Sequence, residues 1–163
     1  MSSFLYKDNI LFCEDVAIID IAKKFGTPAY IYSQKTLIDN YDAYSKAFKK
    51  NKGLICFSVK SLSNISILKL LSNKGSGFDI VSGGELERVN KAGADPKKVI
   101  FTGIAKTNEE IIQGIKKGIL SFNIESESEV RRIEKIAKKE KKVVDVAIRF
   151  NPEIDSGGHE YIK

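Results

Sequence analysis

Residues 99–124, VIFTGIAKTNEEIIQGIKKGILSFNI, contain one complete unit of the pattern that decides the fold. The stretch opens with the apolar, strand-favouring run Val99-Ile100-Phe101-Thr102 and closes with a second such run, Leu120-Ser121-Phe122-Asn123-Ile124. The apolar residues between them recur at helical spacing: Ile111, Ile112 and Ile115. The stretch therefore predicts a strand, a helix and a second strand in succession.

The helix of this unit carries signals for its start and its end. Thr107 is followed three residues later by Glu110, which is the spacing of a capping box. In a capping box the two side chains satisfy each other's backbone N–H groups. Ser126 and Glu129 repeat this spacing before the next amphipathic segment, and Gly118 stands where a helix commonly ends.

The same alternation extends outward from this unit in both directions. It predicts further strands and helices at 54–59, 64–73, 78–81, 85–92, 126–137 and 143–150. Five strands separated by single helices require parallel pairing with right-handed crossovers. Two folds fit, an open doubly wound sheet or part of a (β/α)8 barrel. A complete barrel needs about 250 residues, so the barrel requires that this chain be incomplete.

The first fifty residues do not follow the repeat. Residues 20–25 predict a short helix that Gly26 ends, residues 29–32 predict a strand, and residues 36–49 predict a longer helix.

Composition places the chain among reduced, soluble globular proteins. Apolar residues make up 42% and charged residues 29%, and no stretch is apolar enough to be a signal peptide or a membrane span. Cys13 and Cys56 are too few for a disulfide framework. The net charge of +6 comes from lysines near predicted helix ends, which indicates solvated helix ends and not a nucleic-acid surface. We therefore expect a cytoplasmic protein that binds neither membrane nor nucleic acid.

Three charged residues interrupt the predicted strands. Lys60 follows a buried strand, Asp79 lies within Phe78-Asp79-Ile80-Val81, and Arg149 lies near the end of the last strand. Ligands of parallel α/β folds gather at the C-terminal ends of strands, where a desolvated lysine can act as a neutral amine. Asp79 needs a partner, which Lys60 or Arg149 could supply. The alternative is that these side chains simply reach water where the strands end.

Other motifs are weaker or missing. The turn Ser82-Gly83-Gly84-Glu85 leads into a helix N-terminus, where backbone N–H groups can approach an anion. His159 lies in a polar tail, where a lone histidine is more often exposed than catalytic. The sequence contains neither a P-loop, a zinc-spaced Cys/His set nor a dinucleotide fingerprint, so we expect no metal site.

Several of these stretches, taken in order, match a known family. They are Phe25-Gly26-Thr27-Pro28-Ala29-Tyr30, Phe57-Ser58-Val59-Lys60, Gly75 to Leu86, Asn123-Ile124-Glu125-Ser126, Arg149-Phe150-Asn151-Pro152 and His159-Glu160-Tyr161-Ile162. In this order they resemble the diaminopimelate decarboxylase family, one of the pyridoxal-phosphate-dependent amino-acid decarboxylases of the alanine racemase fold. The resemblance covers nearly the whole chain from about Phe25 and is most specific at Ser82-Gly83-Gly84-Glu85-Leu86 and at residues 159–162.

The resemblance implies a fold, a cofactor and a reaction. It implies a partial (β/α)8 barrel with about five of its eight units, residues 1–34 being a lead-in segment and residues 35–163 the N-terminal part of the barrel. Pyridoxal phosphate would be bound covalently to Lys60, with Asp79 and Arg149 close to it. The reaction would be decarboxylation of meso-diaminopimelate to L-lysine, performed by a homodimer when the protein has its full length.

The chain also departs from the family pattern. Ser58-Val59-Lys60-Ser61 stands where Ala-Val-Lys-Ala-Asn is common, and Glu160 stands where proline is common. The family's later parts, including the C-terminal β domain, would follow Lys163, so we expect a fragment that is inactive alone. Three alternatives stay open: a related decarboxylase of arginine, ornithine or carboxynorspermidine, a non-catalytic barrel that binds the cofactor, and a decayed gene product.

Overall fold

The computed structural model describes residues 3–51, 53–150 and 152. The chain forms two compact units, residues 1–53 and residues 54–163. The first unit holds strands β1 (Phe4–Lys7), β2 (Ile10–Cys13) and β3 (Val16–Ala17), then helices α1 (Ile18–Phe25) and α2 (Gln34–Phe48). The second unit holds β4 (Cys56–Ser58), α3 (Ile65–Asn73), β5 (Gly77–Ile80), α4 (Gly83–Lys91), β6 (Val99–Phe101), α5 (Asn108–Lys117), β7 (Ser121–Ile124), α6 (Glu127–Lys139) and β8 (Val146–Ile148).

The first unit begins with a small antiparallel sheet that the sequence pattern did not predict. β1 pairs with β2 and β2 pairs with β3. Asp8 and Asn9 both have positive φ, as the two central residues of a tight hairpin turn require. Glu14 lies beyond β2, and its Oε1 accepts hydrogen bonds from the Ser33 hydroxyl (2.7 Å) and the Lys35 N–H (2.9 Å). This carboxylate thus attaches the hairpin to the start of α2.

The two helices of the first unit agree with the sequence pattern, but the segment between them does not. α1 and α2 confirm the predicted helices, with shifted ends. The predicted strand at 29–32 is wrong, because these residues have no regular secondary structure. The segment follows the cis Thr27–Pro28 bond, and Tyr30 is almost fully exposed, so these residues do not bury the face that their apolar character suggested.

The second unit is a five-stranded parallel sheet in consecutive order, β4-β5-β6-β7-β8. Every strand pair is parallel, as predicted, and each connection contains one α-helix. Because crossovers are right-handed, a consecutive order places every helix on the same face of the sheet. A doubly wound sheet would reverse its order at some point. The order therefore favours the barrel over the open sheet.

Alternation along the strands separates two faces. Phe78, Ile80, Phe101, Phe122 and Ile124 are all at most 5% exposed and form the face that the helices cover. The rings of Phe101 and Phe122 stack with their centroids 6.0 Å apart. The helices contribute these buried residues to the same core: Ile67, Leu68, Leu71, Leu86, Val89, Ile111, Ile115, Ile133, Ile136 and Ala137.

One glycine allows a helix to approach this sheet closely. A Cβ atom on Gly114, in α5, would lie 2.7 Å from Cζ of Phe122. The helix therefore needs a residue without a side chain at this position. The capping box of Thr107 and Glu110 is present at the start of α5, and Gly118 ends the helix in the left-handed conformation, both as predicted.

Candidate functional site

The other face of the sheet carries the polar side chains. Ser58 is in register with Asp79, Asp79 with Ile100, and Ile100 with Ser121. These four residues are half-buried. The residues beside them in the chain include these buried ones: Val59, Phe78, Ile80, Val99, Phe101 and Phe122. In a parallel sheet all C-terminal ends lie at one edge, so the polar residues near those ends form a single candidate site.

Lys60 lies at this edge, in a single 3-10 turn (Val59–Ser61) directly after β4. It comes two residues after Ser58, the register partner of Asp79. Its predecessor Val59 is fully buried, whereas Lys60 itself is exposed. Within residues 3–51, 53–150 and 152, no hydrogen bond or ion pair involves the Lys60 amine. The desolvation expected for this lysine is therefore not seen among the described residues, and its amine is instead accessible to a carbonyl compound from solvent.

Asp79 is held by a chain of two hydrogen bonds that crosses three strands. The Thr102 hydroxyl donates to Oδ1 of Asp79, and Nδ2 of Asn123 donates to the Thr102 hydroxyl at 2.9 Å. The partner of Asp79 is therefore Thr102, and neither Lys60 nor Arg149. Neither Thr102 nor Asn123 was singled out as a site residue in the sequence. Thr102 is a single polar residue after an apolar run, which is the ordinary mark of a strand end, and Asn123 appears only within the stretch Asn123-Ile124-Glu125-Ser126 that resembles the family.

Arg149 lies immediately after β8, and its N–H continues the sheet by donating to the carbonyl of Ile124 at 2.9 Å. Its guanidinium lies 3.3 Å from Oε1 of Glu125. The Arg149 side chain is 63% exposed and that of Glu125 is 20% exposed. The pair presents an oriented cation at the C-terminal edge, which can bind a carboxylate or a phosphate.

Cys56 shares the face of Asp79. Burial raises the pKa of the Cys56 thiol, and the negative charge of Asp79 raises it further. The thiol is therefore protonated at neutral pH and is a poor nucleophile. Cys13, in the first unit, is also a free thiol, and burial likewise raises its pKa.

The start of α4 was predicted to be able to receive an anion, and the chain supplies one itself. The Gly83 N–H donates to Oε1 of Glu110 at 2.7 Å, and the Glu85 N–H donates to the Ser82 hydroxyl. Burial raises the pKa of Glu110, but the N–H groups of Thr107 and Gly83 outweigh burial and hold it below its usual value. The Glu110 carboxylate thus occupies the place where an outside anion would bind.

A buried ion pair lies beneath the strand ends and was also missed in the sequence. The side chains of Lys106 and Glu129 are 0% and 3% exposed, and their N–O distance is 2.8 Å. Glu129 was predicted to close a capping box with Ser126. The Ser126 hydroxyl does accept from the Glu129 N–H, but the Glu129 carboxylate accepts from the Glu125 N–H and from Lys106. Nothing distinguishes Lys106 in the sequence from the many exposed lysines.

Some expectations cannot be placed on this structure. His159 and residues 153–163 lie outside the described residues. In the part of the chain that is described, no three His, Cys, Asp or Glu side chains form a group that could hold a metal ion. Nor does any helix there have the length and apolar character needed to span a membrane.

Known proteins resemble this chain over nearly its whole length. Residues 34–163 match the family described as "Pyridoxal-dependent decarboxylase, pyridoxal binding domain". Over 162 residues the chain is 47% identical to a diaminopimelate decarboxylase of Haemophilus influenzae and 43% identical to one of Pseudomonas aeruginosa. In both comparisons the match covers 99% of this chain and 39% of the relative. The chain thus spans about two fifths of the length of these relatives.

Solved structures give the same result for the fold. The crystal structure of AQ1208 from Aquifex aeolicus superposes with a TM-score of 0.89 at 41% identity, over 93% of this chain and 37% of that one. A diaminopimelate decarboxylase of M. jannaschii in complex with L-lysine also gives 0.89, at 36% identity, over 98% and 38%. The predicted partial (β/α)8 barrel of the alanine racemase fold is therefore confirmed.

Proposed function

The chain belongs to the pyridoxal-dependent decarboxylases, whose pyridoxal-binding domain its residues 34–163 match, and we propose that it is the cofactor-binding part of a diaminopimelate decarboxylase. The reaction would convert meso-2,6-diaminopimelate into L-lysine and carbon dioxide. The observation that carries this proposal is the 47% identity to a diaminopimelate decarboxylase over 99% of the chain. The arrangement at the C-terminal edge of the sheet supports it.

The residues present fit pyridoxal phosphate by their chemistry. When bound, this cofactor supplies an electron sink for the electrons that remain when carbon dioxide leaves. Lys60 has the primary amine that can hold the cofactor covalently, and it lies where ligands of this fold gather. We assign Lys60 as the catalytic and cofactor-binding lysine.

Asp79 and Arg149 would act on the same ligand in different ways. The hydrogen bond from Thr102 fixes one oxygen of Asp79, so the carboxylate is oriented before any ligand binds. Its other oxygen can accept a hydrogen bond. Glu125 keeps the guanidinium of Arg149 at the same edge, where it can attract the negative charge of a substrate or cofactor.

The setting of the reaction is part of the proposal. We place the protein in the cytoplasm, as a homodimer with an amino-acid substrate, with residues 1–34 as a lead-in segment and residues 35–163 within the barrel. The family match beginning at residue 34 supports that boundary, although the compact units divide after Gly53. The boundary therefore stays a prediction.

Trapping of the cofactor tests the role of Lys60. The purified chain would be mixed with pyridoxal phosphate, reduced with borohydride and digested with a protease. The masses of the resulting peptides would then be measured by mass spectrometry. We expect a pyridoxyl mass increment on the peptide that contains Lys60, and none in Lys60→Ala. Lys69→Ala, which removes an exposed lysine from α3, is the control that should label normally. Equal labelling of the wild type and Lys60→Ala would refute the assignment.

Release of carbon dioxide tests the substrate. The complete gene product would be given meso-diaminopimelate, arginine, ornithine and carboxynorspermidine in parallel. We expect release from diaminopimelate only. Release from another amino acid would assign the protein to a different decarboxylase, and cofactor trapping without any release would favour a non-catalytic barrel.

A further inference from the structure

The ammonium of Lys106 has three hydrogen-bond acceptors, all of them protein oxygens. It donates to the carbonyl of Gly103 (2.6 Å), the carbonyl of Asn123 (2.7 Å) and Oε1 of Glu129 (2.8 Å). Its side chain is entirely buried. The second oxygen of Glu129 accepts from the Glu125 N–H at 3.0 Å. All three ammonium protons and both carboxylate oxygens are therefore engaged inside the protein.

Each backbone group in this cluster belongs to a polar residue of the candidate site or to the residue next to one. Gly103 directly follows Thr102, whose hydroxyl orients Asp79. Asn123 supplies its carbonyl to Lys106 and its amide to Thr102. Glu125, whose N–H is held by Glu129, is the partner of Arg149. The ion pair thus fixes the backbone at the ends of both β6 and β7.

Stability alone does not account for such a pair. Burying two charges costs much of what their attraction returns, and apolar residues of similar volume are often as stable or more so. The pair does provide something that apolar residues cannot, namely donors and an acceptor for backbone groups at two neighbouring strand ends. Its benefit therefore lies in the placement of those strand ends.

We propose that Lys106 and Glu129 are positioning residues, which hold the ends of β6 and β7 so that Thr102, Asn123 and Glu125 orient Asp79 and Arg149. The inference rests on the proposed function, because it assigns the pair to the site in which the cofactor would bind. Neither residue touches the ligand in this proposal. They act through the backbone.

Two variants separate positioning from stability. Lys106→Met leaves the Glu129 carboxylate buried without its cation and removes the donor from two carbonyls, so both stability and strand-end order should fall. The double variant Lys106→Met/Glu129→Leu removes both charges, so the urea concentration at the midpoint of its unfolding should return towards the wild-type value. The strand ends should stay loose in the double variant, because their donor is still absent. Lys116→Met is the control, because it removes an exposed lysine from α5, the helix that follows Lys106.

The exchange rates of backbone amide hydrogens measure the order of the strand ends, and they need no cofactor. The N–H of Thr102 donates to the carbonyl of Ile80 (2.7 Å), and that of Arg149 to Ile124. In both variants we expect these amides to exchange about tenfold faster or more, compared with the helical N–H of Leu68. Unchanged exchange in Lys106→Met, or a double variant that recovers both midpoint and exchange, would overturn the proposal. So would a double variant that does not fold, since the pair would then be a requirement of folding itself.

Cofactor trapping at Lys60 is the second readout. At a pyridoxal phosphate concentration that labels half of the wild-type chains, we expect the double variant to label at least several-fold less. Normal labelling of the double variant would overturn the proposal. A wild-type chain that takes no label would refute the assignment of Lys60 as the cofactor lysine of this chain, whereas the exchange experiment still decides the role of the pair.

Discussion

The hydroxyl of Thr102 donates to the carboxylate of Asp79 across two neighbouring strands, and the amide of Asn123 donates to that hydroxyl. The three side chains come from β5, from the residue after β6 and from β7. A carboxylate on this face of the sheet thus receives a neutral donor and not a cation. Its negative charge remains available to a ligand.

Removing the hydroxyl of Thr102 should weaken this arrangement. Thr102→Val keeps the shape of the side chain but leaves the Asp79 oxygen and the Asn123 amide each without a partner. We expect a loss of about 1–3 kcal/mol in the free energy of unfolding, measured by urea denaturation. Thr102→Ser keeps the hydroxyl and should lose clearly less. If the two variants lost the same amount, the hydrogen bonds would not be what matters at this position.

Gly114→Ala should destabilise the chain, although alanine usually favours a helix. The added methyl group would lie 2.7 Å from the ring of Phe122, a contact that must force the helix or the ring to move. We expect a loss of about 1–3 kcal/mol in the free energy of unfolding, measured by urea denaturation, since overpacking a core costs that much. Gly84→Ala in α4 is the matched control, because its nearest atom outside the chain neighbours is the Ser82 hydroxyl at 3.8 Å. Gly84→Ala should be neutral or stabilising, and an equal loss in both variants would contradict the packing argument.

Glu110 should make stability depend on acidic pH. Hydrogen bonds hold its pKa in the folded chain below the usual value of 4.5. A group with a lowered folded pKa stabilises the protein above its unfolded pKa and loses that effect as the pH falls through the folded pKa. The difference in stability between wild type and Glu110→Gln should therefore be largest at neutral pH and shrink below about pH 4.5.

Urea unfolding at intervals between pH 7 and pH 3 measures this difference. Glu109→Gln, at an exposed neighbouring position, is the control and should show little difference from wild type at any pH. A difference for Glu110→Gln that is constant over the whole range would show that its charge plays no part.

Cys56 should report the charge of Asp79. Because the Asp79 charge contributes to the raised pKa of the thiol, Asp79→Asn should lower that pKa and speed alkylation by iodoacetamide at pH 8. Mass spectrometry of the digested chain gives the rate for each cysteine separately. Cys13 is the internal control, since its pKa is raised by burial and by Glu14. Equal acceleration of both thiols would indicate general loosening of the chain instead of an effect of charge.

Local signals in the sequence predicted most of the second unit. The capping box at Thr107, the strand alternation and the glycine at 118 each depend on residues a few positions apart, so each can be recognised without the fold. The hairpin of the first unit was missed, although Asp8-Asn9 between two short apolar runs was a turn signal. Its strands are only four residues long and mostly exposed, so the hydrophobic pattern was weak.

The candidate site was predictable only in part. Lys60, Asp79 and Arg149 stand out because charge is rare in strands, and the structure places all three at the C-terminal edge of one sheet. Lys106 and Glu129 are 23 residues apart, and their contact joins the loop before α5 to the first turn of α6, which meet only in the folded chain. Short-range patterns contain no trace of such a pair.

Two glutamates in the first turns of α5 and α6 each accept a hydrogen bond from the strand–helix repeat that precedes their own helix. Glu110 accepts from Gly83 at the start of α4, and Glu129 accepts from Lys106 in the loop before α5. A residue inserted between 103 and 106 would shift Lys106 away from Glu129. Over evolution, the segment between β6 and Lys106 should therefore keep its length, because a single inserted residue would separate two buried charges.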